Sequence, residues 1–134
     1  QYSPEERREL LSRALAGQSY WILSGSVATW GLINLRPTHA VFLQIPTAER
    51  LDRLKRRQRE RFESRIDSGG DMEEEHNSFM KWASEYENRS GRGRNLTTDL
   101  AFLESSGGFF VRYAEIEPLE KVAARVLGFL LKTR

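Results

Sequence analysis

Three short apolar runs constrain this chain more than any other feature. Tyr20-Trp21-Ile22-Leu23 runs into Ser24-Gly25-Ser26, His39 to Ile45 ends at Pro46, and Phe109 to Tyr113 follows Gly107-Gly108. The first two do not alternate strictly between apolar and polar residues. Each reads as a strand covered on both faces, the pattern of a parallel sheet. Helical patterns surround the three runs. Ser3-Pro4-Glu5-Glu6 predicts a helix start with a capping box, and Gly17 predicts its end. Thr47 is expected to cap a long charged helix through about Ile66, with sparse apolar positions at Leu51, Leu54, Phe62 and Ile66. Met72 to Tyr86 places Phe79, Trp82, Ala83 and Tyr86 on one helical face. Glu87 to Asn95 is polar, basic and glycine-bearing, and reads as a mobile loop. Thr97 or Thr98 is expected to cap a short helix to about Glu104. Glu117-Pro118-Leu119 opens a last helix with Val122, Val126, Leu127, Leu130 and Leu131 inward. This order of elements predicts an α/β layered domain with a parallel sheet of three strands.

At 134 residues the chain is long enough for one compact domain, residues 1–134, and too short for two. It has no cysteine, which excludes disulfides, thiolate metal sites and cysteine nucleophiles. Apolar runs such as Ala40 to Ile45 are too short to span a bilayer. No signal-peptide pattern opens the sequence, so a cytoplasmic setting is the default expectation. Gln1 stands directly before the first helix, which leaves open both a processed start and a missing upstream segment.

The net charge of +2 says less than its distribution. Bases concentrate between Arg50 and Arg65 and again at Arg89, Arg92 and Arg94, while acids concentrate from Asp71 to Glu75. Arg53, Arg57 and Arg61 recur every four residues and share one helical face. One reading is a solvated helix laced by Glu49–Arg53 and Asp52–Arg56, pairs worth about 0.2–0.5 kcal/mol each. Another is a face that grips an anion, since the guanidinium fork binds phosphate oxygens bidentately and stays charged. A nucleic-acid module is a third reading, but no aromatic residues interleave with these bases and acids do. His76 has no second histidine at metal-ligand spacing, so no metal site is expected there.

Several stretches in order resemble the adenylate-kinase-like, or AAA-family, P-loop kinases. They are Tyr20 to Ser26 with Trp30-Gly31; Val41 to Pro46 with Glu49-Arg50-Leu51, Arg53-Leu54 and Arg57; Arg61-Phe62, Arg65-Ile66, Gly69-Gly70-Asp71-Met72 and His76; and Phe79, Trp82-Ala83, Tyr86 and Gly93-Arg94. The resemblance implies a three-layer parallel sheet of P-loop kinase type with a helical lid at about residues 57–96. It implies phosphoryl transfer from ATP with Mg2+ to a nucleotide or other small acceptor. Arg57, Arg61 and Arg94 would then be catalytic; Arg53, Arg57, Arg61 and Arg65 would bind phosphate; and Ser24, Gly25 and Trp30 would belong to the acceptor site.

The sequence departs from that family in two places. No G-x-x-x-x-G-K-[ST] loop occurs, so the amide cradle, the lysine and the magnesium-binding hydroxyl are all missing. The sheet is therefore expected to be incomplete on its N-terminal side. The chain alone is expected to be inactive, to hold no cofactor by itself, and to associate with itself or with an N-terminal complement through an open sheet edge. In addition, Ser24-Gly25 stands where such kinases often carry Asp-Gly, which weakens any magnesium role at that position.

Overall fold

The computed structural model describes residues 2–31 and 35–133. Among the described residues five α-helices, two short 3-10 turns and two strands follow one another. Helix α1, Pro4–Leu15, begins as its sequence predicts: the Ser3 hydroxyl accepts from the Glu6 amide, and the Glu6 carboxylate accepts from the Ser3 amide at 2.7 Å. A 3-10 turn, Ala28–Trp30, leads toward strand β1, His39–Leu43. Helix α2, Thr47–Phe62, starts one residue after Pro46, whose fixed φ ends the strand and opens the helix. It breaks at Glu63, which has a positive φ of 52°, and continues as a 3-10 turn, Glu63–Ile66. Helix α3, Glu73–Ser84, folds back on α2, with Ile66 and Ala83 buried in this region. Helix α4, Leu96–Ser105, strand β2, Phe109–Tyr113, and helix α5, Leu119–Lys132, complete the order.

The two strands pair in parallel, with Val41 opposite Val111. A crossover of three helices joins them, as parallel pairing demands. The Gln44 amide donates to the Tyr113 carbonyl at 2.8 Å. Alternate amides of a strand point to opposite edges, so those of Ala40 and Phe42 also face β2. Those of Val41 and Leu43 face the other edge, where no backbone partner meets them among the described residues.

The expected strand at Tyr20–Leu23 does not form. This segment is irregular, and the side chains of Tyr20 and Ile22 are 93% and 99% exposed, whereas Trp21 and Leu23 are half-buried. The alternation is that of a strand, but a strand exists only with a ladder partner, and none lies beside it among the described residues. The described sheet therefore has two strands instead of three. The last helix also differs from expectation. Val122, Val126 and Leu130 are half-buried, but Leu127 and Leu131 are exposed. The apolar core is thin: among the described apolar residues, Val27, Ala40, Ile66 and Ala83 are fully buried. No helix among the described residues is long and apolar enough to cross a membrane.

Gly108 shows how closely the strand entrances approach. A Cβ there would stand 2.2 Å from the Pro37 carbonyl oxygen and 2.7 Å from that of Thr38. The Phe109 amide donates to the same Thr38 carbonyl at 2.8 Å, so the backbone cannot retreat without breaking the first rung of the ladder. Gly108→Ala is expected to destabilise the chain by about 1–3 kcal/mol, the usual cost of overpacking, as read by urea denaturation. An unchanged midpoint would contradict this packing.

Candidate functional site

The basic segment sorts its arginines into two groups. Arg50, in the first turn of α2, is held on several sides. Its Nη1 and Nη2 donate to Glu87 Oε1 and Oε2 at 2.6 and 2.9 Å, and also to the carbonyls of Ile45 and Ala83 at 3.3 and 3.1 Å. Its guanidinium lies 5.1 Å from the Tyr86 ring centroid. This bidentate pair is four-fifths buried and joins the end of β1 to the end of α3. Hydrogen bonds from Arg50 hold the Glu87 carboxyl below its ordinary pKa, against the opposing effect of desolvation. Beside it, the Tyr86 hydroxyl donates to Asp99 Oδ2 at 2.6 Å, and burial together with this contact raises the Tyr86 pKa.

Further along, Arg59 pairs with Asp67, and Arg65 binds Asp71 through Nε and Nη2 at 2.9 and 2.6 Å. These pairs close the turn between α2 and α3. Gly70 is required inside that turn, where a Cβ would lie 2.2 Å from the Arg65 carbonyl oxygen. Through the shared hydrogen bonds each carboxylate raises the pKa of its arginine, and each arginine lowers that of its carboxylate.

The second group remains open. Arg53, Arg56 and Arg57 line a shallow hollow of about 450 Å³ with Ile45 and Glu60, at the end of β1. Arg53 and Arg56 are tied along the helix to Glu49 and Asp52 at 2.6 and 3.2 Å. Arg57 has no ion pair or hydrogen bond among the described residues, and Arg61 has only the Phe62 ring, 5.1 Å from its guanidinium. Two unengaged cations one helical turn apart, flanked by two more, form a surface able to take an anion of several charges.

The other expected site residues lie elsewhere. Arg65 is occupied by Asp71. Arg94 is exposed, 3.9 Å from Asp99, and its carbonyl accepts from Arg89 at 2.9 Å. Ser24 and Gly25 are exposed, and Trp30 is half-buried in the first 3-10 turn, where Arg7 approaches its ring at 6.0 Å and Arg8 donates to its carbonyl at 3.1 Å. That turn packs on α1 and α4, and none of these three residues lines the arginine hollow. The 87–95 loop, expected to be mobile, is tethered instead. Asn95 Nδ2 donates to the carbonyls of Gly91 and Gly93, and Asn95 Oδ1 caps α4 by accepting from the Thr98 amide at 2.8 Å. Thus Asn95 caps α4 in place of Thr97 or Thr98. Among the described residues no group of three histidine or carboxylate side chains is placed to hold a metal ion.

Sequence reasoning missed the Arg50–Glu87 clamp and the part of Arg56 and Glu60 in the hollow. The clamp joins residues 37 apart, which no local pattern reveals. Glu60 was within reach, because it stands three residues after Arg57 on the same helix.

No protein-family model matches the chain, and no solved structure matches it. A curated protein of Bacillus subtilis (strain 168), the uncharacterized protein YqaC, is 42% identical over 85 residues, which are 62% of this chain and 47% of the relative. The chain thus spans about half the length of the curated relative it matches.

Glu87→Gln is expected to cost about 1.5–3 kcal/mol at neutral pH, the range for hydrogen bonds to charged groups. The folded-state pKa of Glu87 is depressed, so the stabilisation is fully present above the ordinary value of 4.5 and is lost as the pH falls through the lowered one. Urea titrations of both proteins across acid pH should show the gap closing below that value. A gap independent of pH would contradict the clamp.

Proposed function

We propose that the chain is the phosphate-gripping, lid-bearing part of an ATP-dependent phosphotransferase acting on a nucleotide or another small acceptor. The observation that carries this reading is the free state of Arg57 and Arg61 beside a hollow at the carboxyl end of a parallel strand. Open α/β sheets bind ligands at that end. Arg50, Arg59 and Arg65 are committed to structure, whereas these two are available.

The residues present fit phosphate but not metal. Arg57 and Arg61 can each offer a planar fork of donors to phosphate oxygens, with Arg53 and Arg56 adding charge. Glu60, in the same hollow, would set a limit on how many phosphates the site takes. For Mg2+ there is no matching set among the described residues: Ser24 is an exposed hydroxyl away from the hollow, and no carboxylate cluster accompanies it. No step through the metal is therefore assigned to this chain. ATP would supply the terminal phosphoryl group. The role of these arginines is to orient it and to neutralise charge that grows on its oxygens, which is most of what phosphoryl transfer asks of a protein. The missing glycine-rich loop must come from another polypeptide segment, so the chain alone should bind phosphate without turning over.

Binding of inorganic triphosphate, measured by calorimetry at low salt, tests this. Arg57→Ala with Arg61→Ala should weaken it at least tenfold, while Arg92→Ala should leave it unchanged. Equal binding by all three proteins, or release of phosphate from ATP by the chain alone, would overturn the reading. A duplex oligonucleotide bound more tightly than triphosphate, with a steep fall in affinity as salt rises, would favour a nucleic-acid module instead.

A further inference from the structure

We infer that the ligand of the arginine hollow is a phosphate monoester that also carries an ammonium group. Arg57 and Arg61 take the phosphate, and the Glu60 carboxylate takes the ammonium. This assignment rests on Arg57 and Arg61 holding phosphate, as in the proposed function, and narrows the small ligand of that reading to one chemical class.

One carboxylate of α2 is unused by its own helix. The helix has three acids, Glu49, Asp52 and Glu60. Glu49 pairs with Arg53 and Asp52 with Arg56, each acid one turn before its cation. That order is the favourable one along a helix. Glu60 stands after the cations within its reach, four residues beyond Arg56 and three beyond Arg57. Arg56 Nε turns back to Asp52 at 3.2 Å, and Glu60 has no ion pair or hydrogen bond among the described residues. Glu60 also lies in the last turn of α2, where the carbonyls of the helix end repel negative charge. The fold gains nothing from a carboxylate at this place.

The hollow gives it a use. Arg57 and Glu60, both unpaired, line the same surface with Ile45. Residues three apart on a helix stand about 5–6 Å apart at Cβ, so one small molecule can reach both. An inorganic polyphosphate satisfies the cations but sets its oxygens against Glu60. A molecule with a phosphate at one end and an ammonium at the other satisfies both through charge-assisted hydrogen bonds, and its short carbon spacer has Ile45 to lie against. A hydroxyl would offer Glu60 one neutral donor, whereas an ammonium brings three donors and the opposite charge. Among the described residues no group of three histidine or carboxylate side chains is placed to hold a metal ion in the ammonium's stead.

The test is calorimetry on the full chain at low salt, with EDTA present so that no metal ion bridges phosphate to Glu60. The probes are O-phosphoethanolamine, ethyl phosphate, which lacks only the ammonium, and inorganic triphosphate. Unspecific attraction to the arginines favours ethyl phosphate, because it carries the larger net negative charge. The reverse order is expected, with O-phosphoethanolamine bound about fivefold more tightly, the upper end for one exposed charge pair. Glu60→Gln should abolish that preference and tighten triphosphate binding, without lowering the urea midpoint of the chain.

Ethyl phosphate bound as well as O-phosphoethanolamine, a preference that survives Glu60→Gln, or triphosphate bound with neither ester bound would each overturn the assignment. So would a lowered urea midpoint in Glu60→Gln, which would show that the carboxylate serves the fold. The proposed function survives any of these results so long as Arg57→Ala with Arg61→Ala still weakens triphosphate binding. Loss of that dependence removes both.

Discussion

A parallel ladder of two strands leaves half of its backbone hydrogen-bonding groups without a sheet partner, and the rest of this structure depends on that constraint. Parallel sheets occur buried, with strands on either side and helices on both faces. Here β1 and β2 have each other, and α5 meets them through contacts such as His39 with Phe129 and the Tyr113 hydroxyl with the Arg125 carbonyl. The opposite edge of β1 has no such cover among the described residues. The irregular 20–23 segment and Leu119, Leu127 and Leu131 of α5 leave further apolar surface exposed.

The helical part obeys a different economy. With few apolar side chains, α2 and α3 are held together by charge-assisted hydrogen bonds: Arg50 with Glu87, Arg59 with Asp67 and Arg65 with Asp71. Of these, the largely buried Arg50–Glu87 clamp matters most, because exposed pairs contribute little in water. Consuming these arginines in structure is what makes Arg57 and Arg61 conspicuous. They share the same helix, yet among the described residues neither has a carboxylate within ion-pair distance, Glu60 being the acid nearest to them in the hollow's lining. That contrast is the physical basis for assigning them to an anion.

Much of the local structure was legible from residues alone. The Ser3–Glu6 capping box, the stop at Pro46 and the turn at Gly69-Gly70 follow from the backbone preferences of serine, proline and glycine, which act over a few residues. The Tyr20–Leu23 strand was not, because a strand is a property of a pair, and the run of four apolar residues carries no information on whether a neighbour is present. For the same reason Leu127 and Leu131 read as core residues: an apolar helical face looks alike whether covered or bare. The site was legible in part. Four-residue spacing put Arg53, Arg57 and Arg61 on one face, but only the positions of Asp71 and Glu87 reveal that Arg65 and Arg50 are taken. The resemblance to P-loop kinases, the acceptor role of Ser24, Gly25 and Trp30 and the catalytic role of Arg94 stay with the proposal, since the structure brings none of these four residues to the arginine hollow.

Residue-resolved amide hydrogen exchange on the chain by itself tests the central claim most directly. The amides of Ala40, Phe42 and Gln44, which face β2, should be protected, while those of Val41 and Leu43 should exchange at rates close to those of an unstructured chain. Equal protection at all five positions in a monomeric sample would show that the edge of β1 is already covered, and would contradict an account built on its being open.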